Sequence, residues 1–253
     1  MSQITDDAKK RLLVIRIPDT RGVTISAYGK GNLKIGLGVD TYSRLPGAVD
    51  NPALGITPSQ RERGYGRYSA HGTCPGATEE CQAICYAARP VTEDGIVFQM
   101  WDRNSQTEEV PPIPDDCTLL RIHVSGDFTS NQYIRSWIRR LEERPDVTAW
   151  AYTRSWRVPE LRAMLELLRA LPNFTLFASM DRSTQEVPPS GWRVAWLAGD
   201  ERGEAKALST ENFITITGAP SYACPEESGR RQNCVACAYC FKGDRGDVRF
   251  SVH

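Results

Sequence analysis

The sequence predicts an α/β fold with a mainly parallel sheet, and three observations lead to this prediction. Apolar runs of strand length alternate with amphipathic stretches of helix length across residues 119–200. Glycine, proline and polar residues punctuate these runs. Strands that alternate with helices pair in parallel through right-handed crossovers, so we expect an open sheet or a partial, modified (β/α) barrel. A chain of 253 residues with 40% hydrophobic residues is expected to form a single domain over residues 1–253.

The N-terminal part of the chain predicts strands followed by a long loop. Turn-forming residues separate three β-like runs, which read LLVIRI, VTISAYG and NLKIGLGV. Residues 40–73 are rich in Gly, Pro, Ser, Tyr and Arg without a clear period, which predicts a long loop or a flap over a site. A short helix over residues 95–106 and a proline-rich loop over residues 107–116 are expected next.

The following hundred residues carry the clearest pattern. We expect strands at LLRIHVSGD, TAWAYTRS, FTLFASMD, RVAWLAGD and FITITG. Apolar residues at helical spacing predict helices over residues 130–144 and 158–172. Ser130 or Asn131 can cap the first of these helices, and Pro159 suits the first turn of the second.

Composition and charge limit the classes of function. Lys+Arg and Asp+Glu both number 31, so the zero net charge gives no electrostatic indication of nucleic-acid binding. No segment approaches the ~20 apolar residues that span a bilayer, and we expect a cytoplasmic protein without a membrane partner. Because a reducing compartment disfavours structural disulfides, the eight cysteines favour metal binding or catalysis.

Four cysteines form a group within residues 224–240, with the spacing C-x9-C-x2-C-x2-C. These are Cys224, Cys234, Cys237 and Cys240. Two successive x2 spacings bring three thiolates together, as in ferredoxin-type [4Fe–4S] sites. Tetrahedral zinc is the alternative, although zinc sites usually pair two separated C-x2-C knuckles. Unliganded thiols are a third interpretation.

Three cysteines form a second group within residues 74–85, with the spacing C-x6-C-x3-C. These are Cys74, Cys81 and Cys85. A cubane held by three protein ligands leaves one iron open for chemistry, by the logic that separates catalytic from structural zinc. Alternatively, His71, Cys117 or a residue of the C-terminal group completes a closed site. Whether the two groups form two centres or share one is left open.

Polar residues follow the strand-like runs, where α/β proteins gather ligands beyond the carboxyl ends of strands. We predict a cofactor-binding set of Ser125, Gly126, Asp127, Tyr152 and Arg154, with Thr153, Ser155, Ser179, Asp181 and Asp200 as further candidates. The carboxylate of Asp127 can accept from an ammonium group, and the guanidinium of Arg154 can hold a carboxylate or a phosphate. Each of these residues also fits a helix cap or a turn.

Two other residues have structural interpretations. Cys117 stands alone before a strand and is expected to pack as a small buried hydrophobe. His123 is expected to share one strand face with Arg121 and Ser125, as a histidine satisfied within the core.

Four segments together resemble the phage gene product 88 family. They read CPGA with its following cysteines and CYA, then HVSGDF, YTRSW and the terminal CPE with its three cysteines. The resemblance spans residues 32–242 and implies a phage protein, located in the host cytoplasm, without implying an activity.

The order of these motifs is also similar to that in radical S-adenosylmethionine enzymes. In that superfamily, three cysteines hold an open cubane, and an acidic motif at the end of the second strand binds the methionyl amino group. The resemblance implies that Cys74, Cys81 and Cys85 hold the reactive cluster, that Asp127 lies beside the cofactor, and that the terminal cysteines hold an auxiliary cluster.

Two hypotheses follow from these observations. The first is an iron–sulfur enzyme of radical S-adenosylmethionine type with one or two [4Fe–4S] clusters and an unidentified substrate. The second is a non-catalytic metalloprotein, with structural iron–sulfur or zinc, that acts as a binding or redox module.

Overall fold

A computed structural model describes residues 15–16, 27–47, 72–85, 87, 96–199, 213–214, 220–242 and 245–251. Ten strands form the sheet: β1 (Ile15–Arg16), β2 (Ala27–Lys30), β3 (Asp40–Tyr42), β4 (Leu119–Ile122), β5 (Thr148–Thr153), β6 (Phe174–Met180), β7 (Arg193–Gly199), β8 (Phe213–Ile214), β9 (Pro220–Ala223) and β10 (Asp247–Ser251). The helices are α1 (Glu79–Ala83), α2 (Ile96–Ser105), α3 (Asn131–Glu143), α4 (Pro159–Arg169) and α5 (Cys234–Cys237), with a 3-10 turn at Ser155–Arg157.

The strands lie in the order β1-β2-β3-β4-β5-β6-β7-β10-β9-β8. Neighbours from β3 to β9 pair in parallel, whereas β1 and β2 at one edge and β8 at the other pair antiparallel. The predicted α/β class with a mostly parallel sheet is therefore confirmed. Strands β3 to β7 follow one another in chain order, as they would in a barrel. Within the described residues, however, the antiparallel edges do not meet, so the expected barrel-like sheet is corrected to an open one.

The two faces of the sheet have different coverings, because successive side chains of a strand point to opposite sides. On the helix face, Leu120, Ala149 and Leu176 pack with residues of α3 and α4 in the main hydrophobic core. On the other side, Trp150 and Tyr152 of β5 contact cysteines of the C-terminal group. We call this second side the cysteine face.

Helices α3 and α4 form where the apolar spacing predicts them. Ser130 is the cap of α3, because its hydroxyl accepts from the backbone N–H of Tyr133 at 3.0 Å. Pro159 begins α4, as expected from its position. The two helices bury Tyr133, Ile134, Trp137, Leu141, Leu161, Leu165 and Leu168. Burying one large apolar side chain of this kind contributes about 1.5–3 kcal/mol, so these two helices fix the helix face firmly.

Several local predictions needed correction. The run NLKIGLGV is not a strand: residues 33–38 form turns, Gly36 has a φ of 117°, and β3 begins only at Asp40. Strands β9 and β10 were not predicted. Most of the expected flap, residues 48–71, lies outside the described residues, as does most of LLVIRI and FITITG. The helix at α2 and the loop over residues 107–116 are confirmed.

The alternation expected along β4 is also wrong. The strand ends at Ile122, because His123 has a φ of 59° and turns its ring away from the side of Arg121. The ring packs edge-on against Phe128, and its Nε2 lies 2.9 Å from the hydroxyl of Tyr133. Burial lowers the pKa of His123 well below its ordinary value, so it is a neutral core residue.

Among the described residues, no helix is both long enough and apolar enough to cross a membrane.

Candidate functional site

All eight cysteines have free thiols, so no disulfide competes with metal binding. Cys117 is fully buried in the core on the helix face, which confirms its packing role. The other seven lie in the two groups that the sequence defines, at the end of the sheet where β4, β5 and β6 terminate and along the cysteine face.

The N-terminal cysteine loop, residues 74–85, is held against the ends of the parallel strands. Thr78 caps α1: its hydroxyl accepts from the N–H of Cys81 at 3.0 Å and donates to Asp181 Oδ2 at 2.5 Å. Arg157 Nη1 donates to the carbonyl of Gly76 at 2.8 Å. Two separate contacts, to Asp181 after β6 and to Arg157 after β5, therefore fix this loop at the strand ends.

Gly76 explains why the loop needs a glycine between Cys74 and Cys81. A Cβ atom at this position would lie 2.0 Å from the carbonyl oxygen of Arg154, closer than real Cβ contacts allow. The loop backbone therefore rests directly on the backbone after β5, which places the cysteines beside the strand ends.

The three cysteines of this loop open into one cavity of about 260 Å³. The same cavity is lined by the predicted residues Ser125, Gly126, Asp127, Tyr152 and Arg154, and by Ser179 and Leu197. The structure therefore brings together the N-terminal cysteines and the complete predicted cofactor-binding set. His71 and Asp200 lie outside the described residues.

The thiols in this cavity affect one another electrostatically. Burial raises the pKa of Cys74 well above its ordinary value, and the negative charges of Asp127, Cys81 and Cys85 raise it further. Burial also raises the pKa of Cys81, but the nearby Arg154 guanidinium opposes that shift. A cation bound among these sulfurs would relieve their mutual repulsion as thiolates.

The carboxylate of Asp127 already accepts hydrogen bonds from other residues of the chain. Its Oδ1 accepts from the Thr153 hydroxyl at 2.5 Å and from the N–H of Phe128 at 2.8 Å. Its Oδ2 accepts from the N–H of Arg154 at 2.7 Å. Burial raises the pKa of Asp127 to about 6 in spite of these donors, which act to lower it. In this arrangement Asp127 ties the end of β5 to the loop after β4.

Arg154 holds a carboxylate, as predicted for its residue type, but the carboxylate belongs to the chain. Its Nη1 lies 2.8 Å from Asp181 Oδ2, at the end of β6. The Arg154 guanidinium also acts on the pKa of the nearby Cys81 thiol, which it lowers against the raising effect of burial. Arg154 therefore links the strand ends to the N-terminal cysteine loop.

Ser125 and Gly126 complete the wall of the cavity. The Ser125 side chain is 5% exposed, and its hydroxyl oxygen has no hydrogen-bond partner in the structure. An unsatisfied buried hydroxyl costs about 1–3 kcal/mol, which a ligand atom in the cavity would offset. Gly126 has a φ of 80°, and a Cβ there would lie 2.6 Å from the Thr73 hydroxyl, so close packing with the chain alone requires a glycine.

The C-terminal cysteine group surrounds a larger cavity of about 600 Å³ on the cysteine face. Asn233 caps the short helix α5 by accepting from the N–H of Ala236 at 2.9 Å. Ala238, with a φ of 56°, then turns the chain so that Cys240 returns to the sheet. All four cysteines of the group line this cavity.

Tyr152 lies between the two cavities and lines both of them. Its hydroxyl donates to Cys240 Sγ at 2.8 Å, and the Arg121 guanidinium covers its ring at 3.9 Å from the ring centre. Burial raises the pKa of Cys240 to about 11, and the hydrogen bond from Tyr152 opposes this shift. The two cysteine groups therefore adjoin across one tyrosine.

Sequence reasoning missed three residues of the site. Arg121 faces the C-terminal cysteines. The sequence signal for it is a charged residue within an otherwise apolar strand. Thr78 had a cap-like sequence, Thr-Glu-Glu, but its bond to the strand end carries no sequence signal. Gly76 lies within the CPGA motif, but its close approach to the backbone of Arg154 carries no sequence signal.

No three His, Cys, Asp or Glu residues of the described ranges lie close enough together to hold one metal ion. A single tetrahedral ion with Zn–S bonds of about 2.3 Å requires sulfurs about 3.8 Å apart. A cluster whose thiolates bind different irons has no such requirement. Metal binding at either cysteine group therefore stays a prediction.

The fold and site define a class: a mixed α/β protein with two groups of free cysteines at adjoining cavities on one side of an open sheet. A family model described as Gene product 88 matches residues 43–243, so the chain belongs to the gene product 88 family of phage proteins. The family resemblance seen in the motifs is thereby confirmed.

Two curated relatives agree with this assignment. The chain is 28% identical over 229 residues to the Gene 88 protein of Mycobacterium phage L5, covering 80% of this chain and 90% of the relative. It is 27% identical over 231 residues to the Gene 88 protein of Mycobacterium phage D29, with the same coverage. Neither name states an activity. No solved structure matches the chain.

Proposed function

We propose that this phage protein is an iron–sulfur protein with two [4Fe–4S] clusters, one at each cysteine group. The observation that carries the proposal is that seven free cysteines, in two groups, line two adjoining cavities beside the same strands. Soft thiolate donors in groups of three and four suit iron–sulfur clusters better than hard cations.

The residues at hand fit such clusters in three respects. Cys224, Cys234, Cys237 and Cys240 offer the four thiolates that a complete cubane uses. The neighbouring Tyr152 hydroxyl and Arg121 guanidinium supply a hydrogen bond and positive charge near a negatively charged centre. The N-terminal cavity adds the Arg154 guanidinium beside Cys81.

For the N-terminal centre we propose an iron–sulfur enzyme that resembles the radical S-adenosylmethionine enzymes, acting on an unidentified substrate. Three cysteines leave one iron without a cysteine ligand, and Ser125 and Gly126 line the same cavity at the carboxyl ends of parallel strands. A [4Fe–4S] cluster with S-adenosylmethionine, reduced by an external one-electron donor, would supply radical chemistry at this site. The chain's own residues would bind the cofactor, exclude water and orient the substrate.

A specific observation favours the non-catalytic alternative. Asp127, which the resemblance places beside the cofactor, is occupied by Thr153 and by backbone N–H groups, and Arg154, predicted from its strand-end position, is occupied by Asp181. The cysteine spacing C-x6-C-x3-C also departs from the C-x3-C-x2-C of that superfamily. In this alternative, the centres hold the loops against the sheet, and structural metal contributes on the order of 10 kcal/mol to folding.

Two variants separate the two centres. One replaces Cys74, Cys81 and Cys85 with alanine, and the other replaces Cys234, Cys237 and Cys240. We expect each variant to lose about half of its iron and to keep one electron paramagnetic resonance signal after reduction. A variant that loses all of its iron while remaining folded by circular dichroism would indicate one shared centre and would contradict the proposal of two.

The enzymatic assignment has its own test. Reduced, iron-loaded protein is incubated with S-adenosylmethionine, and 5′-deoxyadenosine is measured. Release by the wild type, and none by the N-terminal triple variant, would support the enzyme. If the loaded protein neither releases 5′-deoxyadenosine nor binds S-adenosylmethionine by calorimetry, the non-catalytic alternative replaces it.

A further inference from the structure

A third cavity, of about 790 Å³, adjoins the C-terminal cysteine loop, and Cys237 of that loop lines it too. Its described lining includes Arg230, Arg231 and Arg245, the two tyrosines Tyr222 and Tyr239, and no acidic residue. Although the whole chain has zero net charge, the described lining of this cavity is basic.

Three acidic side chains among the described residues of the same segment make contacts outside the described lining of this cavity. Glu226 and Glu227 lie 3.5 and 3.2 Å from the ammonium group of Lys34, beside the larger cysteine cavity. Asp247 is 3% exposed, and its carboxylate accepts from the N–H of Val194 at 2.7 Å. The folding of this segment thus separates its positive side chains from these three carboxylates.

One wall of the cavity is a preformed column of rings and guanidinium groups. The rings of Tyr222 and Tyr239 stack at 5.5 Å between centres with 19° between planes. The Arg230 guanidinium lies 4.7 Å from the ring centre of Tyr222, and that of Arg193 lies 5.6 Å from that of Tyr239. Each tyrosine ring therefore contacts both the other ring and an arginine guanidinium.

Arg230 is held in place while keeping donors for a ligand. Its Nη1 donates to the Tyr222 hydroxyl at 2.8 Å, its Nη2 to the carbonyl of Ala223 at 3.2 Å, and its Nε to the Ser228 hydroxyl at 3.1 Å. A guanidinium has five N–H donors, so about two remain. Because the Arg230 side chain is already ordered, it loses less conformational entropy when an anion binds.

We propose that this cavity binds the phosphate groups of nucleotide units, as single-stranded nucleic acid or as free nucleotides. Guanidinium groups bind phosphate bidentately, and Arg231 and Arg245 supply two beside the ordered Arg230. The outer face of Arg230 offers a plane on which a base can stack, as in recognition of unpaired bases. The volume is that of a nucleotide-sized site. This inference does not depend on the proposed clusters.

The test is fluorescence anisotropy with the full chain and a labelled single-stranded DNA of about twelve nucleotides. We expect binding that weakens as salt rises from about 0.05 to 0.2 M, because counterions are displaced from phosphates. Arg231→Gln and Arg245→Gln should each weaken binding about tenfold and lower the salt slope by about 0.7. Arg135→Gln, which removes an exposed arginine from α3, is the matched control and should change neither quantity.

Competitors identify the source of the phosphate. Displacement of the probe by unlabelled single strands, or by ATP alone, supports the proposal and tells the strand from the free nucleotide. Displacement by a poly-glutamate peptide as strong as that by DNA would overturn it, since the cavity would then accept any polyanion. Absence of binding at the lowest salt, or an equal loss in Arg135→Gln, would overturn it as well.

Discussion

Tyr152 lines the cavities of both cysteine groups, as Val124 and Phe250 do, and its hydroxyl makes a contact that can be removed alone. Tyr152→Phe deletes the bond to Cys240 Sγ. Hydrogen bonds to ligand sulfurs stabilise the reduced cluster, so we expect the reduction potential of the C-terminal cluster to fall by about 20–60 mV. Potentiometric titration followed by electron paramagnetic resonance measures this shift.

The control for this prediction is Tyr133→Phe, which removes a buried hydroxyl from the helix face. It should leave both potentials unchanged. If Tyr152→Phe also leaves them unchanged in a protein that holds both clusters, the hydroxyl does not influence the centre.

Thr153 tests whether Asp127 is a structural anchor. The Thr153 hydroxyl donates to Asp127 Oδ1 at 2.5 Å and accepts from the N–H of Ser155 at 2.9 Å. Thr153→Val removes both bonds without a large change of shape, so the free energy of unfolding should fall by about 1–3 kcal/mol. The pKa of Asp127, about 6, should rise because a donor that lowers it is lost.

Urea unfolding checks this prediction, with Thr148→Val at the half-buried start of the same strand as the matched control. Equal losses of stability in the two variants would mean that the hydrogen bonds of the Thr153 hydroxyl to Asp127 and Ser155 contribute little to the fold. Asp127 would then regain its predicted role as an acceptor for a ligand.

At the scale of elements, the contact between the N-terminal cysteine loop and the end of β5 positions the three cysteines of the proposed N-terminal centre. Gly76→Ala would place a Cβ 2.0 Å from the carbonyl oxygen of Arg154, so the loop must move away. We expect about 1–3 kcal/mol lower stability from the overpacking, and loss of iron from the N-terminal centre. Gly38→Ala, where a Cβ meets no atom within 4 Å, should do neither. Iron analysis and thermal unfolding check both variants, and normal iron content in Gly76→Ala would contradict this role of the contact.

Elements with strong local signals were predictable, and elements defined by distant contacts were not. Helices α3 and α4 follow from apolar spacing, with Ser130 and Pro159 at their starts. Strand β10 inserts between β7 and β9 through pairings that no local pattern encodes. The run at residues 32–39 has strand-like composition, but Gly36 adopts a left-handed conformation and the chain turns.

The same distinction applies to the site. Their position at strand ends was sufficient to predict that Ser125, Asp127 and Arg154 lie together, because the carboxyl ends of parallel strands meet at one edge of the sheet. Which partners these side chains take could not be predicted, since Asp181 and Thr153 come from other strands. The wrong orientation assigned to His123 has a local cause, its positive φ, which is rare for a residue with a side chain.

For the whole molecule, the strand order explains why the two cysteine groups adjoin although residues 86–223 separate them in the chain. Strands β3 to β7 advance in one direction, which leaves α3 and α4 on one face and the cysteines beside the other. Tyr152 of the central strand β5 then reaches both groups. The sheet is thus a scaffold with a packed helix face and a cysteine face.

The central claim is that the cysteine face holds iron. The most direct measurement is the iron and acid-labile sulfide content of anaerobically purified wild-type protein. The account predicts a brown protein with about eight irons and eight sulfides per chain, from two clusters of four. A colourless, folded protein that contains zinc, or one with less than one iron per chain after reconstitution with iron and sulfide, would contradict it.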